Sequence, residues 1–241
     1  MDRPGLLIEL PPKPKSFLND KVVIDPKSSE GENLISLMEI GLLAHIAPHC
    51  ERTKDDDLKM IKHGIDLHTF LVDDKIPFTR SIFVQMLFLI SQLEEAGFKH
   101  GDLKLENFVI NDGKVLLIDF EELAKLSSLV VRTTYLPYDG KLRSSCLIGT
   151  SNLDSYALGV TLYMCATKKD HDTFHNSTFE KTICISIIDT KFAHLLCYVI
   201  KSLVTFSKSI TDLHNEVKEQ MEQFTKRPKK KRKILGELTL N

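Results

Sequence analysis

The chain has 241 residues, 42% of them apolar and 27% charged, ordinary proportions for a globular protein of one large domain or two small lobes. No apolar run approaches the roughly eighteen residues of a membrane-spanning helix, and the opening MDRPGLLIELPPKPK turns to prolines and lysines where a secretory signal stays apolar. The net charge of −1 hides an asymmetry: residues 226–233, KRPKKKRK, hold seven of the 32 basic residues, so the rest carries 25 against 33 acids, a balance of −8 that argues against nucleic acid as a partner.

Five cysteines, Cys50, Cys146, Cys165, Cys184 and Cys197, are scattered, odd in number and free of CxxC spacing. They read as reduced thiols of an intracellular protein, not as a disulfide framework or a zinc site.

In chain order, residues 1–20 form a proline-rich, extended N-terminal stretch in which LLIEL is one candidate edge strand. KVVI, residues 21–24, predicts a strand closed by Asp25-Pro26. SSEGEN reads as a polar loop. NLISLMEIGLLAHIA then has helical spacing, with Leu34, Leu37, Met38 and Leu42 on one stripe, Asn33 as N-cap and Pro48 as terminator. ERTKDDD, residues 51–57, reads as a charged turn. Residues 78–98 predict a long apolar helix that buries Phe83, Leu87, Ile90 and Leu93 and ends at Gly97.

The centre of the chain is residues 100–121, HGDLKLENFVINDGKVLLIDFE. Two apolar runs, FVI and VLLI, flank Asn111-Asp112-Gly113, whose residues supply the positive φ of a tight hairpin. The hairpin brings Asp102 and Asn107 close to Asp119, with Lys104 alongside. Hard oxygen ligands suit Mg²⁺, and phosphoryl transfer needs a base, a metal clamp and positive charge. A buried hairpin with surface acids is the plain alternative.

This stretch resembles the catalytic core of the eukaryotic-type protein kinases. His100, Asp102, Leu103, Lys104, Asn107, Asp119 and Phe120 meet the pattern H-R-D-L-K-x-x-N followed by D-F-G. Gly101 replaces the arginine, and Glu121 replaces the glycine. The resemblance covers roughly residues 21–217 and implies an α+β, protein-kinase-like bilobal fold. Its reduced, β-rich N-lobe would span about 21–59 and its mainly helical C-lobe about 65–217.

The resemblance also implies roles. Asp102, Lys104 and Asn107 would be catalytic, and Asn107 and Asp119 would hold Mg²⁺. Glu39, Met60, Lys62, Val109 and Asp119 would bind ATP. Glu39 would be the helix glutamate that pairs with a strand lysine, unless it is a solvated helix residue. Leu43 would join His100 and Phe120 in an apolar spine. Residues 58–71 resemble the last small-lobe strand, the hinge and the first large-lobe helix, with a hinge near Met60–Gly64. Asp66 would lie at the ribose edge or cap a helix.

Two family features are missing. Val22-Val23-Ile24-Asp25 has aspartate where the strand lysine belongs, with Lys21 and Lys27 as the nearby cations, and no glycine-rich loop precedes it. Residues 133–139 look like a worn end of the activation segment, where Thr133, Thr134, Ser127 and Ser128 are candidate phosphosites. Without the arginine at 101 a phosphate there lacks its usual ligand, so activation-loop phosphorylation is not the expected switch. LDSYALGVTLYMCAT, residues 153–167, resembles the buried large-lobe helix. Asp154 would anchor the catalytic loop, and Gly159 would permit close helix contact. The polar loop after it holds His171 and His175, a solvated pair with no further ligand pattern. Residues 192–204 predict a core helix. Residues 208–217 resemble the end of a kinase domain, with Lys208 paired to Asp139.

Residues 218–241 read as a disordered basic tail. KRPKKKRK matches a nuclear-import signal, which implies the import machinery as a partner and a nuclear location, otherwise cytoplasmic. A nucleic-acid patch or a solubilising tail are the alternatives. Four functions are in view: a Ser/Thr protein kinase, a pseudokinase that binds a kinase or its substrate, a small-molecule kinase, and a nucleic-acid binder resting on the tail alone.

Overall fold

Alternation in VVI makes strand β1 (Asp20–Ile24), which buries Ile24 and leaves Val23 exposed. The structure, a computed structural model, describes residues 20–62, 64–129, 133–137, 152–174 and 178–225. β1 pairs antiparallel with β3 (Leu58–Lys62), and β3 with β2 (Cys50–Arg52), giving the order β1-β3-β2. The charged turn expected over 51–57 is therefore shorter. Its first two residues belong to β2, and Thr53 N–H donates to Asp57 O at 2.8 Å to close the remainder.

Helices α1 (Ser29–Glu39) and α2 (Leu43–Ile46) lie between β1 and β2 in the chain. Asn33 is not the N-cap. Ser28 takes that place, its hydroxyl accepting from Gly31 N–H at 3.0 Å, with Glu30 and Glu32 in the acidic first turn. Nor does Pro48 end the helix. Gly41, at φ 72°, breaks it seven residues earlier. The stripe itself forms, with Leu34 and Leu37 fully buried.

A second sheet has the order β4 (Ile65–Asp66), β6 (Phe108–Asn111), β7 (Lys114–Leu117). β6 and β7 are the expected hairpin, with Asp112 at φ 46° and Gly113 at φ 78° as its two-residue turn. Helix α3 (Arg80–Glu95), capped by Thr79, packs along β7 and buries Phe83, Leu87, Ile90 and Leu93. Two short strands, β5 (Phe98–Lys99) and β8 (Ala124–Lys125), pair across the segment that follows Asp119.

The rest of the described chain is helical: α4 (Leu153–Thr167), α5 (Phe179–Ser186), α6 (Thr190–Val204) and α7 (Ile210–Thr225). α4 is buried along its whole length. At Gly159 a Cβ would stand 2.6 Å from Val204 Cγ1, so glycine lets α4 and α6 meet closely. α7 overruns the boundary expected at 217. Ile210, Leu213 and Val217 are buried and Met221 packs on the core, an i, i+4 repeat that carries the helix to Thr225. KRPKKKRK, the N-terminal 1–19 and Asp139 lie outside the described residues. Lys208 pairs with Glu216, whose other oxygen accepts from Tyr198 OH at 2.7 Å. The architecture is thus mixed α and β, with small antiparallel sheets and a helical majority.

Candidate active site

Asp154 sets the loop from which the site is built. It lies on the first turn of α4, almost fully buried, and accepts from His100 N–H at 2.5 Å and Gly101 N–H at 3.0 Å. Burial pushes its carboxyl up, while these bonds and the nearby cations act the other way. Burial dominates, and the two backbone hydrogen bonds compensate this buried polar group. The His100 ring is also fully buried, with Nε2 3.1 Å from Ile118 O and the Phe120 ring 5.4 Å away. Leu43, expected in the same spine, is buried on α2 after the break at Gly41.

Gly101 follows at φ 89°. A Cβ there would collide with the Glu122 carbonyl oxygen and stand 3.0 Å from its carbonyl carbon. The missing arginine is therefore a backbone requirement: the loop approaches the 121–125 segment too closely for any side chain. Lys99, fully buried, adds hydrogen bonds to Leu126 O at 3.3 Å and Ser128 O at 2.5 Å. The segment after Asp119 is thus stitched to the loop by the β5–β8 pair, by Lys99 and by this close approach.

Asp102 is the hub. Oδ2 accepts from Lys104 Nζ at 2.6 Å. Oδ1 accepts from both the N–H and the hydroxyl of Thr134, each at 2.7 Å. Burial alone would raise this carboxyl, but the bonds from Lys104 and Thr134 outweigh it and hold its pKa below the usual carboxylate value. Burial likewise pulls the Lys104 ammonium down, and the hydrogen bond and charge of Asp102, with Asp119 and Glu106, overcome that and raise it.

Asn107 ends a 3₁₀ turn, Leu105–Asn107, and is almost fully buried. Its Nδ2 donates to Asp102 O at 2.8 Å, which leaves Oδ1 as the atom with metal-ligand character. Ile118 N–H donates to Asn107 O at 3.0 Å, and that bond places Asp119 beside the loop. Asp119 itself has φ 65° and is half-buried. Asp102, Lys104, Asn107 and Asp119 are thus brought together.

The other expected residues fall differently. Glu39 is exposed on the last residue of α1 and makes no ion pair among the described residues. Another residue of α1 reaches the site segment: Asn33 Nδ2 donates to Phe120 O at 2.8 Å and to Glu121 O at 3.2 Å. Met60 is fully buried in mid-β3, opposite Val22 on one side and Cys50 on the other, so it lies between strands and not at a free hinge edge. Lys62 is the last residue of β3, opposite Asp20. The side chains of Lys62 and Lys21 lie outside the described residues. Val109 is buried in β6 between Asp66 and Leu116.

Asp66 caps the turn that follows it, accepting from Thr69 N–H at 2.8 Å and Thr69 Oγ1 at 2.9 Å, so the capping alternative is the one observed. Asp25 is exposed past the end of β1, where it accepts from Lys27 N–H at 2.9 Å. It is a turn former leading into α1, not an acid at the end of a strand. Among the described residues no group of three or more His, Cys, Asp or Glu could hold a metal, His171 included.

Thr134, expected only as a phosphosite, has its hydroxyl engaged by Asp102, and Thr133 Oγ1 is buried without a partner among the described residues. The signal for Thr134 was its place in the worn activation-segment end. Asn33 and Lys99 had no local signal.

No family model matches the chain. The likeness found is to a kinase, over a limited stretch. Across 93 residues the chain is 31% identical to the serine/threonine-protein kinase ROP17 of Toxoplasma gondii, which is 33% of this chain and 15% of that protein. The relationship is kinase-like in part, and the chain covers well under a fifth of that relative's length.

Proposed function

We propose that the chain has a protein-kinase-like bilobal fold and moves the γ-phosphate of ATP, with Mg²⁺, to a serine or threonine hydroxyl of a protein. The observation that carries this reading is the state of Asp102. Its carboxylate is held ionised by Lys104 and aimed by Thr134, on a loop that also presents Asn107 and has Asp119 beside it. The partial likeness to a Ser/Thr kinase supports the same class.

Each residue then has a task. Asp102 receives the proton of the attacking hydroxyl. Lys104, paired with Asp102 and within electrostatic reach of Asp119, supplies positive charge for the transferring phosphate. Asn107 Oδ1 and the Asp119 carboxylate are hard oxygen donors that fit Mg²⁺, which when bound would neutralise charge on the phosphates. Val109 on β6 is the apolar side chain that this reading offers to the nucleotide.

A second reading, a pseudokinase that docks on a kinase or its substrate, is favoured by Asp25. Aspartate and not lysine stands at the position where the family clamps phosphate, and its carboxylate is engaged by Lys27 N–H in a turn. Transfer of label from γ-labelled ATP to a Ser/Thr peptide library separates the two. The phosphotransferase reading predicts label with the wild type and none with Asp102→Asn, while that variant still binds Mg·ATP. Equal background from both proteins, each folded, supports the binding module.

A further inference from the structure

The expected device linking the first helix to the metal site is not seen among the described residues: Glu39 is exposed and makes no ion pair there. Yet α1 is tied to the site segment. Ser29 and Asn33 stand one turn apart on the same face of α1. Ser29 Oγ donates to Glu121 O at 3.0 Å, and Asn33 Nδ2 donates to Phe120 O at 2.8 Å and Glu121 O at 3.2 Å. These carbonyls belong to the two residues immediately after Asp119, whose own backbone is held at φ 65°. A non-glycine residue stays in that region only where its surroundings over-determine it.

The helix end that carries these groups is itself fixed. Ser28 caps it, and at Gly31 the backbone of Asp25 and Pro26 passes too close for a Cβ. On the other side the segment is held by the β5–β8 pair and Lys99. Phe120 is fully buried against His100 between the two.

We propose that Asn33 is the positioning residue for the metal site: its amide, with Ser29, holds the backbone after Asp119 and so fixes where the Asp119 carboxylate points. The link is neutral. It needs no lysine partner and no phosphate, and it accounts for how the metal carboxylate is kept placed while Glu39 stands exposed. This inference rests on the phosphotransferase reading, since it concerns the metal that reading assigns to Asp119.

Asn33→Leu removes both hydrogen bonds while keeping the branched side-chain shape, and Asn33→Gln keeps an amide on a longer arm. Asn33 is only half-buried, so both variants are expected to fold. Two quantities are measured on the full chain: Mn²⁺ affinity by calorimetry at saturating non-hydrolysable ATP analogue, and hydrogen exchange of residues 119–123. The Leu variant is expected to bind Mn²⁺ about tenfold more weakly, the size set by losing two hydrogen bonds, with faster exchange across 119–123. The Gln variant recovers part of both. Wild-type affinity and exchange in the Leu variant overturn the inference and leave the phosphotransferase reading standing. If the wild type itself binds no Mn²⁺–nucleotide, that reading fails and this one with it. Faster exchange with unchanged Mn²⁺ affinity reduces Asn33 to a structural contact and also overturns it.

Discussion

Restoring the family's arginine at position 101 is the change a motif comparison recommends, and here it should do harm. Gly101→Arg, or the minimal Gly101→Ala, puts a Cβ on a residue at φ 89°, where a side chain costs about 1–3 kcal/mol. The same Cβ meets the Glu122 carbonyl, a backbone group held by the β5–β8 pair and by Lys99, so it cannot swing aside as a side-chain tip would. Forcing such a contact costs a further ~1–3 kcal/mol. The sum, about 4 kcal/mol, is a large share of the ~5–15 kcal/mol that holds a domain together. For a chain of this size it lowers Tm by about 10 °C, at roughly 2–4 °C per kcal/mol. A thermal melt of the Ala variant is the clean assay, because it adds only the Cβ. A Tm within about 2 °C of wild type would show that the loop yields freely, and the account of Gly101 as a backbone requirement would be wrong.

Two further outcomes can be checked, one from the geometry at Asp102 and one from the sequence alone. Asp102 has a lower pKa folded than unfolded, so the linked stabilisation is complete above the unfolded value of 3.8 and fades as pH falls through the folded one. The acid limb of a pH–rate profile should therefore lie below pH 3.8, and Lys104→Met should move it upward by removing the bond that lowers Asp102. An unmoved limb in that variant would assign it to another group. The run 226–233 should carry a fused fluorescent protein into nuclei, and replacing its seven cations by alanine should return the fusion to the cytoplasm. Nuclear accumulation that survives the replacement would remove the import assignment.

What the sequence made legible was local. The β6–β7 hairpin was readable because Asp112-Gly113 has one favoured turn, and α3 and α6 because their apolar spacing is strong. The start of α1 was misplaced, although Ser28 followed by Glu30 and Glu32 is a cap and an acidic first turn; the glycine within SSEGEN hid it. α5 was missed because only Phe179 and Ile183 of its eight residues are buried. Asp102, Lys104, Asn107 and Asp119 could be grouped because a short hairpin sets their separation.

The departures from the family pattern could not be interpreted locally. The reason for Gly101 is the carbonyl of Glu122, which reaches it only through strand pairing. The reach of Asn33 spans 87 residues to Phe120. Glu39 was chosen because EIGLLAHIAPHC resembles the end of the family's first helix, and here it stands exposed on the last residue of α1. Each failure has the same cause: a role defined by a tertiary approach leaves no periodicity behind.

The central claim, that Asp102, Lys104, Asn107 and Asp119 form a working Mg²⁺–nucleotide site, is tested most directly by thermal shift with Mg·ATP, wild type against Asp119→Asn. A ligand near 100 times its Kd stabilises the folded state by about 2.7 kcal/mol, which here is a Tm rise of about 5–10 °C. The account predicts that rise in the wild type with Mg²⁺ present, its loss when the metal is chelated, and its loss in Asp119→Asn. No shift in either protein, with both folded at the start of the melt, would contradict it.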